Sequence, residues 1–415
     1  MSYSRFNSVL ISAAAAALVL LASGCGGRAI ESLEREELFE ISLGKMEDQI
    51  DLFQVPGVPF DRSNEIYRKD GRIYISNGSS SKIMEFTPYG DLVFLLQNSE
   101  ENPEPVVLSS EIQDEDITNR VARSFPFQNI GGLVVDSRKR LYVEDEVPVD
   151  QREIDGESGA VFYKRIFRFD RDGNFVDYLG QEGVGGAPFP FIHGFFVTSM
   201  DELVVITRLV ERWIVFWYDP EGFLLYRVDI DPEQLPAHRE DLASLEKVLP
   251  NFNRRELLIT ITYYEEEVNP STQTRDAIDK SLSRIYRFDL EAQRYTDFID
   301  VPDSGTRKEA IGGTEIEIPA PSYELLGNTL EGAFVFLRPE DFNRYELLVI
   351  DAGGDVQARR LLTIEDSEIF YKDLNLSEDG ILSAMLCFQD RVRVVSWRSD
   401  RLIPEKMDGK TADRS

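Results

Sequence analysis

Side chains able to do covalent or metal chemistry are few in this chain. There are two cysteines, Cys25 and Cys387, and two histidines, His193 and His238, against 75 aspartates and glutamates in 415 residues. A zinc site built from three histidines is therefore impossible. No G-x-S-x-G, Walker, H-E-x-x-H or C-x-x-C pattern occurs, so no nucleophile comes with a recognisable activating partner. The acidic runs E-I-Q-D-E-D (111–116) and E-E-E (265–267) lack the alternating D-x-D-x-D-G spacing that wraps calcium, and they read as solvated loops. Cys387 lies within I-L-S-A-M-L-C-F with no close basic neighbour to stabilise a thiolate, which predicts a buried, inert thiol. These residues specify no cofactor and no resident metal.

Cys25 stands in a different setting. Arg5 precedes an uncharged, mostly apolar run from Val9 to Leu21, followed by A-S-G-C, the layout of a secretory signal peptide. A helix of that length reaches only about 20 Å against a hydrocarbon core of roughly 30 Å, so removal is expected rather than retention as an anchor. Ala22, Ser23 and Gly24 before Cys25 resemble the lipobox of bacterial lipoproteins, with Ala22 where Leu is commonest and Leu21 one place earlier. The resemblance implies cleavage before Cys25 and a triacylated cysteine held in membrane lipid, since stable anchoring takes two or more chains. The alternative is an ordinary small-residue cleavage site followed by a free thiol. On the lipoprotein reading the chain divides into a signal peptide (1–24), a lipidated tether (25–37), a folded body (38–403) and a polar tail (404–415). The body is then extracytoplasmic, and Gly26 in place of Asp after the cysteine favours the outer membrane or cell surface.

With a formal net charge of −30 the surface repels nucleic acid and anionic headgroups. At 42% hydrophobic and 11% aromatic residues, the chain must bury a core, and acylation of Cys25 leaves no second thiol for a disulfide.

The elements that bury this core repeat. Residues 65–96 read as four short strands, Glu65 to Arg68, Ile73 to Ser76, Lys82 to Phe86 and Leu92 to Leu96, separated by K-D-G-R, N-G-S-S and T-P-Y-G-D turns. The pattern returns from Gly132, Phe195, Glu256 and Tyr323. A last copy, Tyr371 to Arg401, has three strands only. Asp170, Asp219, Asp289 and Asp351 follow the third strands, with glycines at 173, 222 and 354, and read as turn residues accepting from their own backbone. The expected architecture is an all-β, six-bladed β-propeller of four-stranded antiparallel blades. Because a ring cannot close with an open edge, residues 38–53 are expected to donate the missing outer strand of the last blade. A helix over Ile30 to Met46 is the competing reading of that segment.

I-Y-I-S-N-G-S-S-S-K-I-M-E-F (73–86) resembles the two middle strands of an NHL-repeat propeller blade, and the likeness extends over roughly residues 50–402. In such a blade the turns between strands one and two and between strands three and four share one face of the disc, and here they are short. The long connections, Gln97 to Phe127, Glu146 to Phe162, Asp231 to Lys247, Glu265 to Leu282 and Asp300 to Pro321, fall on the other face, which is the expected binding face. Within them, 235–249 reads as a capping helix with Leu242, Leu245 and Leu249 on one side. Enzymes of this fold, such as the gluconolactonase type, hold a metal at the channel mouth with residues from the innermost strands. Aligning the copies places Asn64, His193, Tyr323 and Glu324 there as candidate ligand residues, among which Glu324 alone is a carboxylate and Lys247 and Lys372 oppose a cation. The resulting expectation is a membrane-anchored binding or scaffold module for an envelope protein, peptide or glycan. The alternative is a metal-assisted hydrolase or lactonase using Glu324, Asn64 and a third carboxylate shifted into the ring, Glu65 or Asp373.

Overall fold

The computed structural model describes residues 30–52, 64–106, 108, 120–156, 159–209, 212–268, 275–311, 314–341, 343–364 and 366–403. The signal peptide, Cys25, the acidic run 111–116 and the tail from 404 lie outside the described residues.

The chain forms a six-bladed β-propeller. Blade one is Asn64–Lys69, Arg72–Asn77, Lys82–Phe86 and Leu92–Gln97, each strand antiparallel to the next. All four lie within a residue of the boundaries expected from the turn residues. Blades two to five repeat the order from the channel outward, with inner strands Leu133–Val135, Ile192–Val197, Leu242–Pro250 and Glu324–Asn328. Alternate residues of a strand point to opposite faces of the blade, and both faces are covered by neighbouring blades. Ile83 therefore packs toward blade two and Met84 toward blade six. The buried hydrophobic residues divide into one cluster for each junction between adjacent blades. This two-sided burial explains why the third strand of blade three, W-I-V-F-W-Y (Trp213–Tyr218), is buried along its whole length.

The expected strand donation is present, in a shifted range. Arg35–Ser42 pairs antiparallel with Arg391–Trp397 as the outer strand of blade six, from Arg35↔Trp397 to Ser42↔Arg391. The competing helix does not form: the ladder holds the backbone, while Ile41 enters the junction between blades six and one. Phe39 crosses to Phe86 of blade one, with ring centroids 5.3 Å apart. Gly90 lies under it: its φ is 88°, and an added Cβ would stand 2.8 Å from the Cβ of Phe39. At the channel, the inner strand of blade six reaches the inner strand of blade one by side chains. Asp373 accepts from the Ile66 amide at 2.8 Å, Asn375 accepts from the Arg68 amide at 3.0 Å, and Lys69 pairs with Glu378 at 2.6 Å. Both ends of the chain thus hold the ring shut.

The repeated aspartates act as turn residues. Asp170 Oδ1 accepts from the amides of Asp172 and Asn174, both at 2.9 Å, and Asp219 Oδ1 accepts from those of Glu221 at 3.0 Å and Phe223 at 2.8 Å. Cys387 is fully buried and burial pushes its thiol up to about 12, as its surroundings in the sequence suggest.

The helix expected over 235–249 is not formed. Pro232–Gln234 makes one 3-10 turn, and Leu242–Pro250 is the inner strand of blade four, paired with the strand that begins at Glu256. The leucines are spaced for a helix, but a bulge between Leu245 and Lys247 lets a strand use the same spacing, sending Leu245 and Leu249 into the cores on either side of the blade. Pairing with the β-branched run L-L-I-T-I-T outweighs the local periodicity.

Candidate functional site

Every long connection carries local structure, and all of them emerge on one face. Val121–Ser124 adds in parallel to the outer strand of blade one. Glu153–Ile154 and Val161–Phe162 form a small hairpin, and Thr306–Ile311 with Thr314–Pro319 form a larger one. Blade four extends its middle strands to Glu256–Val268 and Arg275–Asp289, a ladder that projects past the other blades. Among the described residues, the opposite face carries short turns, such as 136–140, 198–202, 219–223 and 351–355, and the 3-10 turn Ser399–Leu402.

Toward the short-turn face the inner strands leave a cavity of ≈ 170 Å³, bordered by Tyr67, Phe196, Leu249, Leu326 and Leu374. Its polar neighbours are engaged: Asn375 with Arg68, and Asn328 with the Phe252 amide at 3.1 Å. It lies away from the elaborated face.

The four candidate mouth residues do not form one constellation. Asn64 is fully buried and accepts from Asn77 Nδ2 at 2.6 Å, while the same Asn77 holds the Asp51 backbone through its amide at 2.9 Å and its carbonyl at 2.8 Å. It fastens the segment after the closing strand onto blade one. Tyr323 donates to Glu346 at 2.8 Å, beneath the guanidinium of Arg338, which is 4.8 Å from the ring centroid. Arg338 binds the fully buried Glu346 carboxylate at 2.6 and 3.0 Å. Burial and the adjacent carboxylate push the Tyr323 phenol up to about 12, so this group is a structural donor inside blade five.

His193 and Glu324 are the two that reach the surface of the mouth. His193 is exposed and meets Trp213 edge-on at 4.6 Å, and Arg208 lies 5.2 Å over the same indole. Partial burial holds the imidazole below its usual range, and the cations Lys247 and Arg208 lower it further. Glu324 is bound by Lys247 at 2.8 Å. His193, Arg208, Lys247 and Glu324 thus form an arc over blades three, four and five in which cations outnumber carboxylates. Among the described residues, no group of three His, Cys, Asp or Glu side chains converges on a metal position. The ammonium of Lys247 already engages one oxygen of the Glu324 carboxylate. Arg208 and Trp213 were not distinguishable beforehand, because a cation at the end of one strand and an indole at the start of the next become neighbours only through the register Arg208↔Trp213.

No family model matches the chain, and no curated protein does. Solved structures with similar architecture include a member of the duf4221 family from Bacteroides vulgatus, at 9% identity over 88% of this chain and 98% of that one, with a TM-score of 0.43. A streptogramin B lyase is similar at 12% identity over 89% and 99%, TM-score 0.37. A gluconolactonase from Xanthomonas campestris is similar at 9% identity over 81% and 85%, TM-score 0.36.

Proposed function

We propose that the chain is an NHL-type propeller lipoprotein, anchored outside the cytoplasm through acylated Cys25, that binds an envelope protein, peptide or glycan with its long-loop face. The observation that carries this reading is the segregation, among the described residues, of the elaborated connections to one face of the ring and of short turns to the other. Neutral insertions would fall on both. Binding rather than metal-assisted hydrolysis is supported by the mouth itself, where Asn64 and Tyr323 serve the packing of their blades and Glu324 is occupied by Lys247.

Two measurements test the two halves of the reading. Radiolabelled palmitate should enter the wild-type protein and not Cys25→Ser, which should leave the membrane fraction; membrane association without acyl label would refute the anchor. Replacing 306–319 by a short Gly-Ser turn should reduce recovery of a co-purifying envelope component while the melting temperature stays within a few degrees, because such hairpins carry little core. Unchanged recovery after removal of both this hairpin and 149–161 would refute the binding face.

A further inference from the structure

The tether leaves the propeller from its rim, close behind the anchoring residue. Upstream of the closing strand, residues 31–33 add to the outer strand of blade five, Val356–Thr363. The Leu33 amide donates to the Leu361 carbonyl at 2.8 Å and the Leu361 amide to the Glu31 carbonyl at 2.9 Å. Arg360 pairs with Glu31 at 3.4 Å, and Leu33 packs on the core between blades five and six. The chain is therefore fixed to the body from Glu31 onward. Cys25 lies six positions earlier, and six residues span at most about 22 Å when fully extended. Across the ring, two blades of four strands at about 4.8 Å spacing place opposite rims at least roughly 29 Å apart before the channel is counted. The tether can hold the rim of blade five at a membrane but cannot reach round to the far side.

Charge separates the remaining orientations. The short-turn face exposes carboxylates such as Asp91, Glu221, Glu291 and Asp355 beside the cations Arg138, Lys139 and Arg254, and the long-loop face exposes Asp150, Glu153, Glu240, Glu265 and Glu317. Laid flat, either face would set exposed carboxylates against anionic headgroups. The rim of blade five instead offers Arg359 and Arg360, whose carboxylate contacts are Glu346 at 3.7 Å and Glu31 at 3.4 Å. Resting on the reading of Cys25 as a lipidated residue, we propose that the propeller stands edge-on at the bilayer, with the outer strand of blade five as its lipid-facing rim. The long-loop face then opens sideways along the membrane, and its partner is a component held at the same surface.

The test uses the full-length acylated protein on vesicles of phosphatidylethanolamine and phosphatidylglycerol carrying an acceptor dye on the headgroup. A donor dye is placed on a single introduced cysteine, either Thr363→Cys at the exposed end of the blade-five rim or Val176→Cys on the outer strand of blade two, opposite. Acylation occupies Cys25 and burial protects Cys387, so the label goes to the introduced thiol. Gln357→Cys, also exposed on the blade-five rim, replaces Thr363→Cys if that variant folds poorly. Energy transfer should be severalfold greater from the blade-five site. Equal transfer from both sites, with acylation verified by mass, would overturn the edge-on placement and leave the lipoprotein reading intact. Absence of acylation would overturn both.

Discussion

Ile41→Ala tests the closure of the ring quantitatively. Ile41 is 3% exposed and contacts the cluster between blades six and one that includes Ile50, Met385, Cys387, Val392 and Val394. Truncating a buried isoleucine to alanine costs roughly 2–5 kcal/mol through lost transfer energy and the cavity left behind. That loss falls on a strand that enters the blade from the far end of the sequence, so it should favour detachment of Arg35–Ser42 ahead of global unfolding. Cys387 reports the event, because it lies in the same cluster and is fully buried. In a Cys25→Ser background it is the sole thiol, since the sequence holds two cysteines. If thiol labelling proceeds through opening of the edge, its rate follows the opening equilibrium, and a tenfold change corresponds to about 1.4 kcal/mol. A loss of about 2–5 kcal/mol then speeds labelling by roughly 30- to 4000-fold under native conditions. Glu37→Ala, at a side chain 52% exposed on the same strand, is the control and should leave the rate within a factor of about three. Equal labelling rates in Ile41→Ala and the control, with an unchanged urea midpoint, would refute the claim that this strand closes the ring.

Three further outcomes are expected. Asp373 is held up at about 6 by burial, above its ordinary 3.8, so the native state keeps a proton that the unfolded chain releases. Its contribution to stability is therefore present at low pH and is lost as pH rises between about 4 and about 6. Asp373→Asn should remove that slope and exceed the wild type by up to roughly 3 kcal/mol above pH 6 in urea titrations, since each pKa unit is worth about 1.4 kcal/mol; a wild type less stable at pH 4.5 than at pH 7, relative to the variant, would reverse the sign and refute it. Glu346→Ala takes from Arg338 its buried two-pronged partner, leaving Glu340 at 3.5 Å and the Ser304 carbonyl at 2.8 Å, and should destabilise the protein by about 1–3 kcal/mol in the same assay; it should also bring the Tyr323 phenol down from about 12 toward its ordinary value. Lys247→Gln should raise the His193 pKa, readable by proton NMR with one other histidine in the chain; no change would separate the two side chains that the arc brings together.

The blades were legible in the sequence because their turns are encoded locally. K-D-G-R, T-P-Y-G-D and D-R-D-G-N each enforce a reversal by a side chain or a positive φ, and two-sided burial makes the strands between them apolar. The missing outer strand was legible by counting, although it runs from Arg35 to Ser42 rather than over 38–53: the ladder reaches back through charged residues that carry no hydrophobic signal, and the chain turns away after Leu43. Residues 235–249 misled because leucine spacing alone cannot distinguish a helix from a bulged strand. The mouth was the least legible part. The alignment of copies placed Asn64, Tyr323, His193 and Glu324 at equivalent positions, but equivalence in a repeat does not fix what each side chain meets. Asn64 turns to Asn77 and Tyr323 to Glu346, contacts set by residues of later strands. The arc of Arg208, His193, Lys247 and Glu324 exists only once three blades are adjacent.

The claim that the elaborated face binds an envelope partner is tested most directly by photocrosslinking in intact cells. A photoreactive amino acid is placed at Val149 or Ile316 on the long-loop face, or at Tyr89 or Phe223 on the short-turn face, all of them exposed. The account predicts a discrete adduct with an envelope macromolecule from Val149 or Ile316 and none from Tyr89 or Phe223. Adducts from Tyr89 or Phe223 alone would place the binding surface on the opposite face of the ring and contradict it.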